Sequence, residues 1–320
     1  MTPASFPRRL FAPKRRRIAL SPPAPTRRGR RLLQHLRHLV SGAVAWLLAA
    51  LLAGLPAYAQ SKPQRIVSMN LCTDELLMRI VDPSRIASIT YLSRQPVNAP
   101  LGLDHIASRL PVNHGLAEEV IKLDPDLILA GQFAATTATN LLRHLGYRVE
   151  VFPPENSLAD MRANIRHLGE VVGEPARAEA AIAEFDARFA ALQAQIPAGE
   201  KPVFADIGVN NYIAGANTLY TEIVNASGYR TLGQALGFAG YRNLPLETVL
   251  TVRPALISTA TPWTSPPSLS TMSLGHPALR RLMAETPQVV IPERYTTCGA
   301  PSVLGAIEIL VEARKTEAAR

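Results

Sequence analysis

The chain contains two copies of one short pattern. The first reads EEVIKLDPDLI from Glu118, and the second reads ETVLTVRPALI from Glu247, 129 positions later. In both copies a Glu is followed by apolar residues at matching positions, then by Pro and a Leu-Ile pair, without a gap. A self-similarity of this length predicts two related lobes rather than one continuous domain. It also places one acidic residue at equivalent positions on both lobes, as a symmetric docking surface requires.

The positive charge of the chain is confined to its first part. The formal net charge is +9, but residues 1–60 contain eleven Lys or Arg and no Asp or Glu. Residues 61–320 therefore carry 23 basic and 25 acidic side chains and are nearly neutral. A protein that binds duplex nucleic acid needs a basic face. The sequence therefore predicts no nucleic-acid partner.

Residues 1–59 have the pattern of a signal peptide. A basic segment precedes an apolar run over 39–55, and Ala57-Tyr58-Ala59 supplies small residues at the two positions that a signal peptidase inspects. We expect cleavage before Gln60 and a periplasmic location. An uncleaved anchor is the alternative, because 17 apolar residues reach the lower limit of a membrane span. The Arg30-Arg31 pair leaves the choice between general and twin-arginine export open.

Strand and helix patterns alternate after Arg65. The predicted strands are 65–69, 86–91, 127–130, 148–152, 202–207, 255–259 and 289–291. The predicted helices are 73–81, 118–123, 136–145, 157–172, 175–196, 219–226, 247–250, 277–284 and 303–315. Alternation of this kind predicts parallel sheets covered by helices on both faces.

The segment Pro175–Ile196 has an unbroken helical stripe of apolar residues and contains no internal Gly or Pro. It predicts a helix of about 33 Å between the two copies of the repeat. We interpret it as a rigid connector, with a surface helix of one lobe as the alternative. The expected organisation is an N-terminal lobe over 60–173, a connecting helix over 174–197 and a C-terminal lobe over 198–320.

The run RIVSMNLCTDELLMRI over 65–80, the two repeat copies and the central helix together resemble periplasmic substrate-binding proteins of ABC importers, in the iron-siderophore and cobalamin class. The resemblance covers nearly all of the chain after the leader. It implies an α/β fold: two lobes with mainly parallel sheets, joined by one long central helix, that hold a metal chelate between them. It also implies a monomer that docks on a permease dimer through one Glu on each lobe. By position these residues are Glu118 and Glu247; Glu119 is the neighbouring alternative, but Thr248 stands at its place in the second copy.

Side chains that follow the predicted strands are the candidate ligand contacts, because ligands of such folds bind beyond the carboxyl ends of the strands. Aromatic rings would give flat apolar contact, and arginines would suit an anionic edge of a ligand. The candidates are Asn70, Cys72, Arg94, His114, Phe133, Asn211, Tyr212, Trp263, Arg294, Tyr295 and Cys298.

The expected ligand is cobalamin or a ferric siderophore. Haem is the alternative, and it is less favoured because neither lobe has a Tyr–His pair placed as an axial iron ligand. The sequence has no metal-binding spacing such as CxxC or HxxxH, so we expect neither a resident metal nor a cofactor.

Cys72 and Cys298 are the only cysteines of the chain, and both fall beside the expected cleft. Two buried free thiols, a disulfide across the cleft, and contact with ligand or metal are the open alternatives. A second class of function is an enzyme with Cys72 as nucleophile and His114 as base. No serine elbow, phosphate loop or pair of acids supports an enzyme, so we expect none.

Overall fold

Two parallel β-sheets organise the part of the chain that the computed structural model describes, residues 61–99, 102–258 and 275–319. The predicted leader lies outside these residues. The described strands are β1 (Ile66–Ser68), β2 (Ile86–Thr90), β3 (Val112–Asn113), β4 (Leu127–Gly131), β5 (Val149–Phe152), β6 (Val203–Asp206), β7 (Tyr212–Ala214), β8 (Arg230–Thr231), β9 (Tyr241–Asn243), β10 (Leu256–Ser258) and β11 (Gln288–Val289).

Helices connect these strands and cover the sheets. The described helices are α1 (Leu71–Ile80), α2 (Asp104–Ala107), α3 (Ala117–Ile121), α4 (Thr136–His144), α5 (Leu158–Val172), α6 (Pro175–Gln193), α7 (Leu219–Ala226), α8 (Leu232–Ala235), α9 (Leu246–Val249), α10 (Pro277–Glu285) and α11 (Val303–Ala318). No helix within the described ranges is long and apolar enough to span a bilayer.

The first sheet has the order β3-β2-β1-β4-β5, and the second has the order β11-β10-β6-β8. Every strand pairing in both sheets is parallel. The central strands β1 and β4 are buried at every position, as expected for strands covered by helices on both faces. The predicted α/β fold with two parallel sheets is therefore confirmed.

The two copies of the repeat occupy equivalent places in the two sheets. The first copy forms α3 and then β4, which pairs with β1. The second copy forms α9 and then β10, which pairs with β6. Each copy thus supplies a short helix and the strand beside the first strand of its sheet. The residue limits of the lobes, 60–173 and 198–320, stay a prediction.

The long helix α6 is shorter than expected and ends at Gln193. Its 19 residues span about 28 Å. Pro197 disfavours the helical conformation at Ile196, which explains part of the difference. The apolar stripe of α6 is buried at Ala178, Ile182 and Phe185, where the helix packs against α5 and α11.

One hydrophobic core serves both sheets. A single cluster of buried side chains contains Ile66 and Leu127 of the first sheet, Phe204 and Leu256 of the second, and Val311 of α11. This cluster links the two sheets, while two smaller buried clusters lie within the first half and the second half separately.

The two strands of the small antiparallel sheet, β7 and β9, were not among the predicted strands. Each strand has only three residues, and Gly215 and Gly240 lie beside them. Strands this short, next to glycines, give no readable alternation of apolar and polar residues.

Candidate functional site

A cavity of about 380 Å³ opens between the carboxyl ends of the two sheets, and we call it the cleft. Its walls come from the segments after β1, β4 and β5, from α7 and β9, and from the segment after β11. The chain order reverses between β1 and β4 in the first sheet, and between β6 and β10 in the second. Ligands of open parallel sheets bind outside such reversals, so the cleft is the candidate site.

Asn70 and Gly131 lie against each other in the cleft wall. Asn70 is the N-cap of α1, and its Oδ1 accepts hydrogen bonds from the backbone N–H groups of Cys72 at 3.0 Å and Thr73 at 3.2 Å. A Cβ at Gly131 would overlap the Asn70 side chain, so only glycine permits this close approach.

Cys72 and Cys298 form a disulfide, with their Cα atoms 5.2 Å apart. It joins the start of α1 to the segment after β11, across a sequence separation of 226 residues. Of the three alternatives, the structure therefore has the disulfide. Nucleophilic attack requires a thiolate, so the enzyme with Cys72 as nucleophile is wrong.

Two further contacts fix the walls of the cleft relative to one another. The buried carboxylate of Glu75 pairs with Arg79 at 2.9 Å and accepts a hydrogen bond from Ser302 Oγ, also at 2.9 Å. Glu222 Oε2 accepts the backbone N–H of Leu158 at 2.6 Å, at the start of α5. A carboxylate at that position is favoured by the helix dipole.

Glu155 lines the cleft just after β5. Its Oε1 accepts a hydrogen bond from Asn164 Nδ2 at 2.5 Å, and its side chain packs on Gly299, where a Cβ would overlap it. Burial raises the pKa of the Glu155 carboxyl, and the bond from Asn164 opposes that rise. The carboxyl is thus held between α5 and the segment after β11.

Two tyrosines line the cleft from the second half of the fold. Tyr220 donates a hydrogen bond to Asp206 at the end of β6, and the hydroxyl of Ser258 bonds to the same carboxyl. Burial raises the pKa of Asp206. Tyr241 stacks on Tyr212, with ring centroids 5.1 Å apart and an interplanar angle of 4°. The stack provides a flat aromatic surface for a ligand.

Part of the predicted ligand set lies together at this cleft. Asn70, Cys72 and Phe133 line it, and Phe133 is 76% exposed. Cys298 lies between two residues of the lining, and Tyr212 stacks on one of the lining tyrosines.

The other predicted contacts lie elsewhere or outside the described residues. Arg94 donates to backbone carbonyls at the end of α2 and just after it. Asn211 donates to a backbone carbonyl after β9. The guanidinium of Arg294 lies over the ring of the buried Tyr295, 5.4 Å from its centroid. Trp263 lies outside the described residues.

His114 forms a pair that the sequence does not predict. Its ring stacks on Tyr91 with centroids 4.8 Å apart, and its Nδ1 lies 3.1 Å from Glu119 Oε1. The pair forms because β2 and β3 are neighbours, so the residues after them meet at one edge. Neither residue is in the lining of the cleft, so the expectation that neither lobe has a Tyr–His pair placed as an axial iron ligand stays a prediction. Within the described ranges, no group of three or more His, Cys, Asp or Glu side chains could hold a metal ion.

The two repeat glutamates are exposed. Glu118 lies in the first turn of α3, and Glu247 lies in the first turn of α9. The neighbouring Glu119 is instead bound by His114, whose backbone N–H donates to it at 2.6 Å. This hydrogen bond lowers the pKa of Glu119. Glu118 is thus more accessible than Glu119.

A larger groove of about 910 Å³ lies along the sides of α1, α6 and α11. It is partly apolar, with Met78, Phe185 and Leu304 in its walls. It lies beside helices rather than at strand ends, where the topology favours ligand binding. We therefore place the candidate site at the smaller cleft.

Glu155, Tyr220 and Tyr241 are cleft residues that the sequence interpretation missed. Glu155 follows the predicted strand 148–152, so the rule that ligands bind beyond the carboxyl ends of the strands would have selected it. Tyr220 lies within a correctly predicted helix, whose orientation the sequence does not give. Tyr241 belongs to the unpredicted strand β9.

The fold is that of solved periplasmic binding proteins. The periplasmic heme-binding protein RhuT from Roseiflexus sp. RS-1 has a TM-score of 0.64 and 19% identity, and the match covers 80% of this chain and 99% of that one. The vitamin B12 binding protein BtuF of Vibrio cholerae has a TM-score of 0.61 and 19% identity, and the match covers 81% and 99%. At this identity the likeness shows the fold alone.

The family model described as "Periplasmic binding protein" matches residues 66–284, and the chain belongs to this family. It is a family of binding proteins rather than enzymes. A cobalamin-binding protein of Halobacterium salinarum is 24% identical over 208 residues, which are 62% of this chain and 54% of that protein. The chain thus spans about half the length of the curated relatives that it matches.

Proposed function

We propose that this chain is the periplasmic receptor of an ABC importer for a metal chelate, cobalamin or a ferric siderophore. The cleft captures the chelate, and the receptor delivers it to a permease dimer in the inner membrane. The observation that carries the proposal is a cleft lined from the carboxyl ends of both sheets, with aromatic and amide side chains in its walls. Relatives named for cobalamin and vitamin B12 support the same class of ligand.

Ligand capture is tested by quenching of the fluorescence of Trp263, the one tryptophan left after removal of the leader. Cyanocobalamin, ferric siderophores and haem form the panel, with calorimetry as a second readout. Phe133→Ala should weaken binding about tenfold or more, because burial of such a ring contributes about 1.5–3 kcal/mol. Leu141→Ala is the matched control, since Leu141 is 45% exposed outside the cleft lining. An equal loss of ligand affinity in both variants would contradict the assignment of the cleft as the binding site.

We assign the docking role to Glu118 and Glu247, and their exposure on equivalent helices supports this assignment. Exposed carboxylates suit the planar guanidinium groups of a permease and would set its orientation. Replacing both residues by Ala should abolish transport while the Kd for the chelate stays unchanged. Glu119→Ala is the control; loss of transport in that variant alone would place the docking residue one position further.

The haem alternative has one specific observation in its favour. His114 Nδ1 is held by Glu119, an arrangement that orients the other ring nitrogen toward a metal, and Tyr91 stacks beside it. A Soret band that shifts on haem addition, and is lost in His114→Ala, would establish this function. An unchanged Soret band in His114→Ala would remove this support.

A further inference from the structure

We propose that the cleft selects chelates without net negative charge, and that Glu155 is the residue that imposes this selection. The inference rests on the proposed function and names the chemical class of its ligand. Among the described side chains that line the cleft, Glu155 alone carries a formal charge, and it is an acid. The undescribed residues 259–274 contain no Asp, Glu, Lys, Arg or His, so they bring no cation to the site.

The arginines nominated for an anionic ligand edge do not line the cleft. The guanidinium of Arg94 donates to two backbone carbonyls, and that of Arg294 covers the Tyr295 ring. Arg242 follows the lining residue Tyr241 in β9, but its guanidinium lies 5.0 Å from the ring centroid of Phe238. Neighbouring residues of a strand point to opposite faces, so this arginine points away from the cleft.

The helix starts beside the cleft are also occupied. Amide N–H groups at a helix start attract anions unless side chains already bond to them. At α1 these groups donate to Asn70, and at α7 the N–H of Thr221 donates to Thr218 at 3.1 Å. At α5 they donate to Glu222 and Ser157. α4 is the exception among the described helices beside the cleft, because no side chain caps it and its first N–H groups stay available to an acceptor oxygen of the ligand.

A second carboxyl lies behind the wall. Asp206 is bonded by Tyr220, whose side chain lines the cleft. Burial raises the pKa of both Asp206 and Glu155. No positively charged side chain is among the neighbours that shift the pKa of either carboxyl. An anionic ligand would therefore lose its hydration without meeting a cation and would face a carboxylate. A neutral chelate rich in amides meets uncharged polar side chains such as Asn70, Gln132 and Thr297, and a cationic one also meets the carboxyl of Glu155.

The experiment compares ligands that share a scaffold and differ in charge. Ferrioxamine B, with its free ammonium, is compared with its N-acetyl form, which is neutral, and its N-succinyl form, which is anionic. Cyanocobalamin is compared with its monocarboxylate, in which one side-chain amide is hydrolysed. Dissociation constants are measured by calorimetry at pH 8, where ionisation of the Glu155 carboxyl is favoured.

We expect the anionic member of each series to bind about tenfold or more weakly than the neutral member. Glu155→Gln should reduce that ratio to about twofold. Glu150→Gln is the matched control, because Glu150 pairs with His167 at 2.8 Å outside the cleft lining, and its ratio should match that of the wild type.

Equal or tighter binding of the anionic members overturns the charge selection and leaves the proposed function intact. An unchanged ratio in Glu155→Gln overturns the role of that residue. If no member of either series binds, the proposed function fails, and the selection fails with it.

Discussion

The disulfide between Cys72 and Cys298 gives the most quantitative prediction. Replacing both cysteines by Ser frees a loop closed over 226 residues. The chain-entropy relation assigns a loop of that length about 5 kcal/mol, above the usual range of about 2–4 kcal/mol. We therefore expect the free energy of unfolding to fall by about 5 kcal/mol.

Urea unfolding followed by circular dichroism measures this change. The free energy of unfolding of a chain of this size falls by about 3 kcal/mol per molar urea, so the urea concentration at the unfolding midpoint should fall by roughly 1.5–2 M. Thiol titration of the unfolded wild-type chain should detect no free thiol before reduction and two afterwards, because the chain has two cysteines.

Reduced wild type is the control for the substitution itself, and its midpoint should match that of the double variant. Two titratable thiols in the unreduced protein would refute the disulfide. A midpoint that shifts by less than 0.3 M on reduction (about 1 kcal/mol) would refute the entropy argument while leaving the bond in place.

Three other substitutions test the packing around the cleft. Burial raises the pKa of Asp74 from 3.8 to about 7, so the folded protein keeps a proton that the unfolded chain loses. The free energy of unfolding should therefore fall by roughly 4 kcal/mol as pH rises from about 4 to 8, and Asp74→Asn should remove that fall in urea unfolding at each pH. Gly299→Ala should cost about 1–3 kcal/mol, because its Cβ would overlap Glu155. Asn70→Ala should cost about 1 kcal/mol in thermal unfolding, through loss of the cap of α1.

Each of these predictions has an internal comparison. A wild-type free energy of unfolding that stays constant between pH 4 and 8 would contradict the account of Asp74. Gly275→Ala is the control for Gly299→Ala, because no atom lies within 4 Å of the added Cβ, and it should change stability by less than about 0.5 kcal/mol. An Asn70→Ser variant should retain most of the cap, and a loss as large as that of Asn70→Ala would contradict capping.

The sequence predicts the fold well where local patterns and global topology agree. The repeat predicts α3 with β4 and α9 with β10, and the predicted helix 219–226 has the observed limits. The predicted boundaries are less accurate at helix ends, as at Ile196, which precedes Pro197 and lies beyond the end of α6.

The site is predicted less completely because side-chain direction is not a sequence property. Asn70 and Phe133 follow strands and line the cleft, whereas Arg94 follows a strand and turns to backbone carbonyls. The sequence also leaves the state of the cysteines open. A disulfide forms only if the two residues are close in space, and 226 residues separate Cys72 from Cys298 along the chain.

The continuous core has a consequence for cooperativity and for protein engineering. Ile66 and Phe204 belong to different sheets but to one apolar cluster, so melting of either half would expose buried surface of the other. Calorimetry of the exported protein should thus record one transition. Chimeras that exchange whole halves between relatives would divide this cluster, whereas transplanting the segments directly after β4 and β5 would change the cleft and leave the cluster whole.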